Sequence, residues 1–171
     1  MEPGCGVRFH GEGEAPLQCD LGVVSADEEI GCVGVPVSRF TFHHLGCAVK
    51  SIHAALAAYW PLGARASESV LVAAQRVRVC FVELTAGLRI ELIEPAEEGS
   101  AVDELLRRGI SFYHTAYSAP DFDAAIQHLE SSGYHALKPF RSEAFGNKRC
   151  VFLMGPARQL VELIETQSVC R

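Results

Sequence analysis

No two of the seven cysteines (Cys5, Cys19, Cys32, Cys47, Cys80, Cys150 and Cys170) stand at CxxC spacing. That argues against a thiolate metal framework and for free thiols in a reducing compartment. No apolar run approaches the roughly 20 residues that a membrane-spanning helix needs. The first thirty residues hold no basic start followed by an apolar stretch of signal-peptide length, so a cytoplasmic protein is expected. Excess positive charge is missing too. The formal net charge is -6, residues 1–38 carry seven acidic side chains against one Arg, and the remainder balances fourteen acids with fourteen bases. A neutral body offers no electrostatic footprint for nucleic acid and no basic helix for a membrane surface. Small-molecule chemistry is what these absences leave.

What is present is a chain of 171 residues, about half of them apolar, enough for one domain or two small modules sharing a core. Residues 1–38 contain seven of the fifteen glycines, three prolines and no sustained periodicity, and read as a flexible, acidic extension. Residues 39–171 read as the folded body. In order, the pattern predicts a strand over Phe40–Val49, a helix from the N-cap Ser51 to Trp60 before Pro61, and strands over Ser67–Ala73, Val77–Leu84 and Leu88–Glu94, the last two joined through Thr85-Ala86-Gly87. A short helix, Val102–Arg108, opens at Ser100 and Asp103 and stops at Gly109. Then come a strand over Ile110–Ala119, a helix over Asp121–Ser132 closed by Gly133, and strands over Tyr134–Pro139, Lys148–Met154 and Gln159–Glu165.

The order βαβββ therefore occurs twice, in module one (39–98) and module two (99–171). At an offset of 70, His44, Ala54 and Ala55 fall on His114, Ala124 and Ala125; at 71, Arg78, Phe81 and Glu91 fall on Arg149, Phe152 and Glu162. Glu91-Leu92-Ile93-Glu94 returns letter for letter as Glu162-Leu163-Ile164-Glu165. Ordered coincidences through strand, helix and two further strands indicate a duplicated supersecondary unit with one inserted residue. The fold class that follows is α+β, two tandem βαβββ modules.

Strand alternation places Glu91 opposite Leu88, Ile90 and Leu92, away from the face suited to helix packing, and places Glu162 among the apolar Leu160 and Ile164. An unpaired carboxylate there would be costly to bury. Two His and two Glu, one pair per module, can meet if the modules pack with pseudo-twofold symmetry, and imidazole plus carboxylate suits a divalent first-row metal with positions left open. The competing reading is that the four satisfy one another through hydrogen bonds. His43 has no counterpart at the repeat offset, where Tyr113 stands. Glu94 and Glu165, on the opposite strand face, read as structural or rim residues. Lys148, Arg149 and Arg141 lie near Gly146 and are candidates to meet a substrate phosphate or carboxylate, with solvated charge as the plainer reading.

The motifs His-Leu-Gly-Cys-Ala-Val at 44–49, Arg-Ile-Glu-Leu-Ile-Glu-Pro at 89–95, Tyr-His-Thr-Ala-Tyr at 113–117 and Leu-Val-Glu-Leu-Ile-Glu at 160–165 resemble those of the vicinal oxygen chelate superfamily. That group includes glyoxalase I, methylmalonyl-CoA epimerase, extradiol dioxygenases and the fosfomycin and bleomycin resistance proteins. The resemblance covers Phe40 to Thr166 and implies a curved mixed sheet with His44, Glu91, His114 and Glu162 holding one divalent ion (nickel, cobalt, zinc or manganese). It also implies lyase or isomerase chemistry, in which a proton beside a metal-bound carbonyl moves by way of an enolate, with Glu91 and Glu162 as the catalytic carboxylates and a thioester or carbonyl compound as substrate. Glyoxalase I carries an Arg four residues after its first ligand; here that place is Ala48, and the resemblance leans to the epimerase. A glyoxalase I-like lyase acting on a hemithioacetal and a non-catalytic binding or resistance protein are the alternatives. Edge strands of such units pair, so a homodimer is expected.

Overall fold

The computed structural model describes residues 40–84 and 87–166; the expected extension over 1–38 and the turn residues Thr85 and Ala86 lie outside them. These described residues form one compact unit. Strand β1 (Thr41–Ala48) leads into α1 (Ile52–Tyr59), whose N-cap is Ser51: its hydroxyl accepts from the Ala54 N–H at 3.3 Å. Pro61 ends the helix in a 3-10 turn. Strands β2 (Arg65–Ala66), β3 (Val70–Val72), β4 (Val77–Glu83) and β5 (Arg89–Pro95) complete module one.

Module two repeats the plan. A short helix, α2 (Asp103–Arg107), is tethered at its start by the Asp103 carboxylate, which accepts from the backbone N–H groups of Gly99 and Ser100. Then follow β6 (Phe112–Ala119), α3 (Phe122–Ser131) capped by Asp121, β7 (His135–Ala136), β8 (Phe140–Ser142), β9 (Lys148–Met154) and β10 (Leu160–Glu165).

All ten strands join one mixed sheet in the order β2-β4-β5-β1-β6-β10-β9-β7, with β3 on β4 and β8 on β9. The parallel pairs are β1 with β5 and β6 with β10; the modules meet through the antiparallel pair β1 and β6. In that central pair Leu45 faces Thr115, with His44 opposite Ala116 and Gly46 opposite His114. This puts a pseudo-twofold axis at the middle of the sheet.

One expectation needs correction. Ser67–Ala73 and Tyr134–Pro139 are not continuous strands. Ala66 pairs Val82 while Val70 pairs Val79, and Ala136 pairs Leu153 while Phe140 pairs Cys150. Each outer strand thus carries one residue more than its neighbour, a bulge that breaks it in two. The Ser67 hydroxyl takes the Phe81 N–H at the first break, a cross-strand bond that no periodicity reveals. The inserted residue of the repeat sits at the second module's β8–β9 turn, where Gly146 and Asn147 both have positive φ while module one has Arg76 alone.

The sheet has two differently filled faces. On one, α1 packs on Cys47, Cys80, Val82, Ile90 and Leu92, and α3 packs on Val151, Leu153 and Leu163. Leu92 and Leu163 occupy matching places and are fully buried, each worth about 1.5–3 kcal/mol of hydrophobic burial. On the other face the sheet curls until β3 touches the 3-10 turn Glu143–Phe145 of module two. Val72, Val77, Val79, Ile93 and Phe140 fill part of that concave side, and the four repeated His and Glu point into it. No described helix is long and apolar enough to cross a membrane.

Candidate metal centre

His44 and His114 come from the central strands, Glu91 and Glu162 from the parallel strands that flank them. In the pairing Gly46 stands level with both Glu91 and His114, and Ala116 with both Glu162 and His44. A side chain at position 46 would collide with the ring it faces: a Cβ there overlaps the His114 imidazole. Gly46 is thus required by close approach.

The four side chains converge on one point. His44 Nε2 lies 3.1 Å from His114 Nε2, 3.2 Å from Glu91 Oε2 and 3.5 Å from Glu162 Oε2; His114 Nε2 lies 3.9 and 3.6 Å from the same carboxylate oxygens. Relative exposures of 0% for His44, 6% for Glu91, 5% for His114 and 3% for Glu162 leave almost no contact with water. Aromatic rings wall the group. Phe145 stacks on His44, Phe81 meets it edge-on, and Phe152 and Tyr113 do the same to His114.

Burial sets the charge states. It pushes Glu91 up to about 7 and Glu162 up to about 8, the second helped by the charge of Glu91. It drives His44 down to about 3 and His114 down to about 4, against the pull of the carboxylates. The imidazoles are therefore neutral, with lone pairs to offer. Glu162 Oε2 has no hydrogen-bond donor at all, an expensive state for a buried oxygen. Donors bound to one first-row ion at about 2.1 Å stand about 3.0–3.4 Å apart, close to the observed spacings. The group could hold a divalent metal ion, and among the described residues it is the one His, Cys, Asp and Glu cluster of that kind.

The candidate substrate cations separate. Lys148 lies on the concave face by alternation with Cys150 and Phe152. Arg149 does not. Its guanidinium lies on the helix side, bound to Asp123 at 2.9 and 3.0 Å and to Glu165 at 2.9 Å, over the Phe122 ring. Arg141 points from β8 to the Asn147 carbonyl at 2.7 Å. In this edge hairpin, alternation sends Lys148 and Arg149 to different sides, and nearby acceptors hold two of the three cations. Glu94 and Glu165 support the helices. Glu94 Oε2 accepts from the Ile52 N–H at 2.6 Å, and Glu165 anchors Arg149.

Sequence reasoning missed His43 and Tyr113. Strict alternation puts them on the helix side, but the β1–β6 register shifts between Phe42 and His44 and again between Gly46 and Cys47, leaving His43 and Tyr113 each as the extra residue of a bulge. Each bulge turns its residue to the concave face. His43 Nδ1 meets His44 Nδ1 at 2.8 Å and its ring packs on Phe81 and Phe145. The Tyr113 ring lies 4.5 Å from that of His114, and burial with the charges of Glu91 and Glu162 raises its phenol well above the usual value.

Comparison with known proteins agrees with this architecture. Residues 43–152 match the model of the Glyoxalase/Bleomycin resistance protein/Dioxygenase superfamily. No curated protein sequence matches the chain. Among solved structures, the methylmalonyl-CoA epimerase of Mycobacterium tuberculosis is 26% identical, with a TM-score of 0.63 over 72% of this chain and 86% of that one. A Streptomyces coelicolor methylmalonyl-CoA epimerase variant in complex with 2-nitronate-propionyl-CoA is 26% identical, with a TM-score of 0.63 over 75% and 99%. A methylmalonyl-CoA epimerase bound to methylmalonyl-CoA is 26% identical, with a TM-score of 0.65 over 77% and 98%. With the family match spanning most of the folded body, and the repeated halves meeting as the fold requires, the chain belongs to the glyoxalase/bleomycin resistance protein/dioxygenase superfamily.

Proposed function

We propose that this chain is a metal-dependent enzyme that removes and returns a proton on the carbon beside a thioester carbonyl, in the manner of a methylmalonyl-CoA epimerase. The observation that carries the reading is the convergence of two carboxylates from symmetry-related strands on two neutral imidazoles, in a nearly dry, aromatic-walled site. Likeness to epimerase structures over almost their whole length supports the substrate class.

A divalent ion held by His44, Glu91, His114 and Glu162 would supply positive charge beside the substrate carbonyl oxygen and so acidify the neighbouring C–H. Each carboxylate turns Oε2 to the imidazoles, which leaves Oε1 as the atom to accept or deliver a proton. Glu91 and Glu162 approach from opposite sides of the pseudo-twofold axis. One takes the proton from one face of the carbon and the other returns a proton to the opposite face, which inverts the centre. Phe81, Phe145 and Phe152 exclude water while the proton is off carbon. Lys148, on the same sheet face, is the cation placed to meet an anionic part of the substrate.

The same residues would serve a 1,2-proton shift on a hemithioacetal, with one carboxylate taking and returning the proton. Ala48 speaks against that substrate, because no guanidinium stands there to hold a glutathione carboxylate.

The test is proton exchange in deuterated water with methylmalonyl-CoA, before and after metal removal. Metal-dependent deuteration at the carbon between the two carbonyls, abolished in Glu162→Gln, is the expected result. Turnover of a hemithioacetal without exchange on the CoA ester would move the assignment to the glyoxalase reaction. A chain that binds no metal and exchanges neither substrate would sink the enzyme reading and favour a binding protein.

A further inference from the structure

We infer that His43 is a positioning residue, which fixes the ring orientation and tautomer of His44 so that Nε2 is free to bind a metal. This rests on the metal reading given above and concerns a residue outside the four-donor set. In a regular strand His43 would point to the helix side. The bulge in β1 instead turns it to the concave face, where its Nδ1 stands 2.8 Å from His44 Nδ1.

The tautomer follows from the geometry. His44 Nε2 is the nitrogen that meets the other three donors. To offer a lone pair there, His44 must carry its proton on Nδ1. The acceptor within reach of that proton is His43 Nδ1, so His43 in turn carries its own proton on Nε2. Packing holds His43 in place, with Phe81 and Phe145 meeting its ring edge-on at centroid distances of 6.2 and 5.4 Å.

Module two supplies the contrast. Tyr113 occupies the same bulge position but offers His114 only its ring edge, and His114 Nδ1 has no hydrogen-bond partner. His114 is instead seated by the bare backbone of Gly46 and the ring of Phe152. The two ligand imidazoles are thus held by different means, His44 by a hydrogen bond and His114 by shape.

The experiment compares zinc and cobalt affinities, by competition with a chromophoric chelator, of the wild type, His43→Leu and His43→Asn. Leu keeps bulk without an acceptor, and Asn restores an acceptor near the place of Nδ1. Loss of a supporting hydrogen bond to a ligand His costs about 10- to 100-fold in metal affinity; that loss is expected in His43→Leu, with most of it recovered in His43→Asn. Equal affinity in all three proteins overturns the role. Imidazole nitrogen spectra of the zinc-loaded wild type give an independent reading if the Leu variant does not fold: a proton on His44 Nδ1 and none on His43 Nδ1 is expected, and the reverse overturns the inference. A wild type that takes up neither ion refutes the metal reading itself, whereas metal uptake that is indifferent to position 43 refutes only the positioning role.

Discussion

Module one and module two share a plan, a sheet and a pair of ligand-type residues each, yet they support those residues differently. His44 is held by His43 through a hydrogen bond; His114, its counterpart, is held by Gly46, Tyr113 and Phe152. Level with His114 is a glycine, and level with His44 is an alanine, Ala116. On the helix side the divergence recurs. Glu94 binds the first turn of α1 directly, while Glu165 reaches α3 through Arg149 and Asp123. After duplication, the four convergent side chains are the common element and their supports have diverged, because many arrangements can hold a ring but few can bring four such atoms within 4.8 Å of one another.

The sharpest way to break the comparison is at its centre. Gly46→Ala inserts a methyl group into the space of the His114 ring, and overpacking of this kind costs about 1–3 kcal/mol. Metal affinity should fall by about 100-fold or more as the ligand ring is displaced. The reciprocal Ala116→Gly should keep metal binding and lose about 1 kcal/mol of stability. Calorimetric titration of both with zinc checks the pair; equal effects would show that the modules are held alike after all.

Next in size is the effect of pH. Metal uptake requires both carboxylates ionised, and burial holds Glu91 and Glu162 up to about 7 and about 8. Zinc affinity should therefore rise with pH and level off above about 8, falling by up to about 100-fold per unit on the acid side while both protons must be displaced. The sign for stability is the opposite in the metal-free protein. Carboxylates raised on folding stabilise it below their unfolded value of 4.5 and lose that contribution as pH rises through 7 and 8. The gain in Tm on adding zinc should therefore grow between pH 6 and 8, and a gain independent of pH would show that the carboxylates do not bind.

The smallest effects belong to the helix supports. Glu94→Gln weakens a 2.6 Å bond to the first N–H of α1 and should cost about 1 kcal/mol. Arg149→Ala removes a solvent-screened ion-pair network and should cost less than Glu94→Gln. Urea midpoints at unchanged slope measure both; a larger loss for Arg149 would make the indirect support the stronger one.

Much of this was legible in the letters. A repeat at offsets of 70 and 71 specifies two modules, and period-two alternation puts Glu91 and Glu162 on the face away from the helices. The N-cap Ser51 was readable because capping is local. The partners of Arg149 were not readable, because Asp123 and Glu165 lie 26 and 16 residues away. His43 was passed over because the repeat test asks for a matching letter, and a positioning role needs only a matching place.

By itself, then, the sequence determined the duplicated βαβββ plan, the two core faces and the recurring pair of His and pair of Glu, since each follows from local periodicity or from recurrence. Only the tertiary structure decided that the outer strands break at bulges and that His43 and Tyr113 turn inward. It alone showed that the two modules meet there, with His44 Nε2 at 3.1 Å from His114 Nε2 and at 3.5 Å from Glu162 Oε2, and His114 Nε2 at 3.9 Å from Glu91 Oε2. Those facts depend on register between strands about seventy residues apart, and one residue of slip there reverses which face a side chain meets.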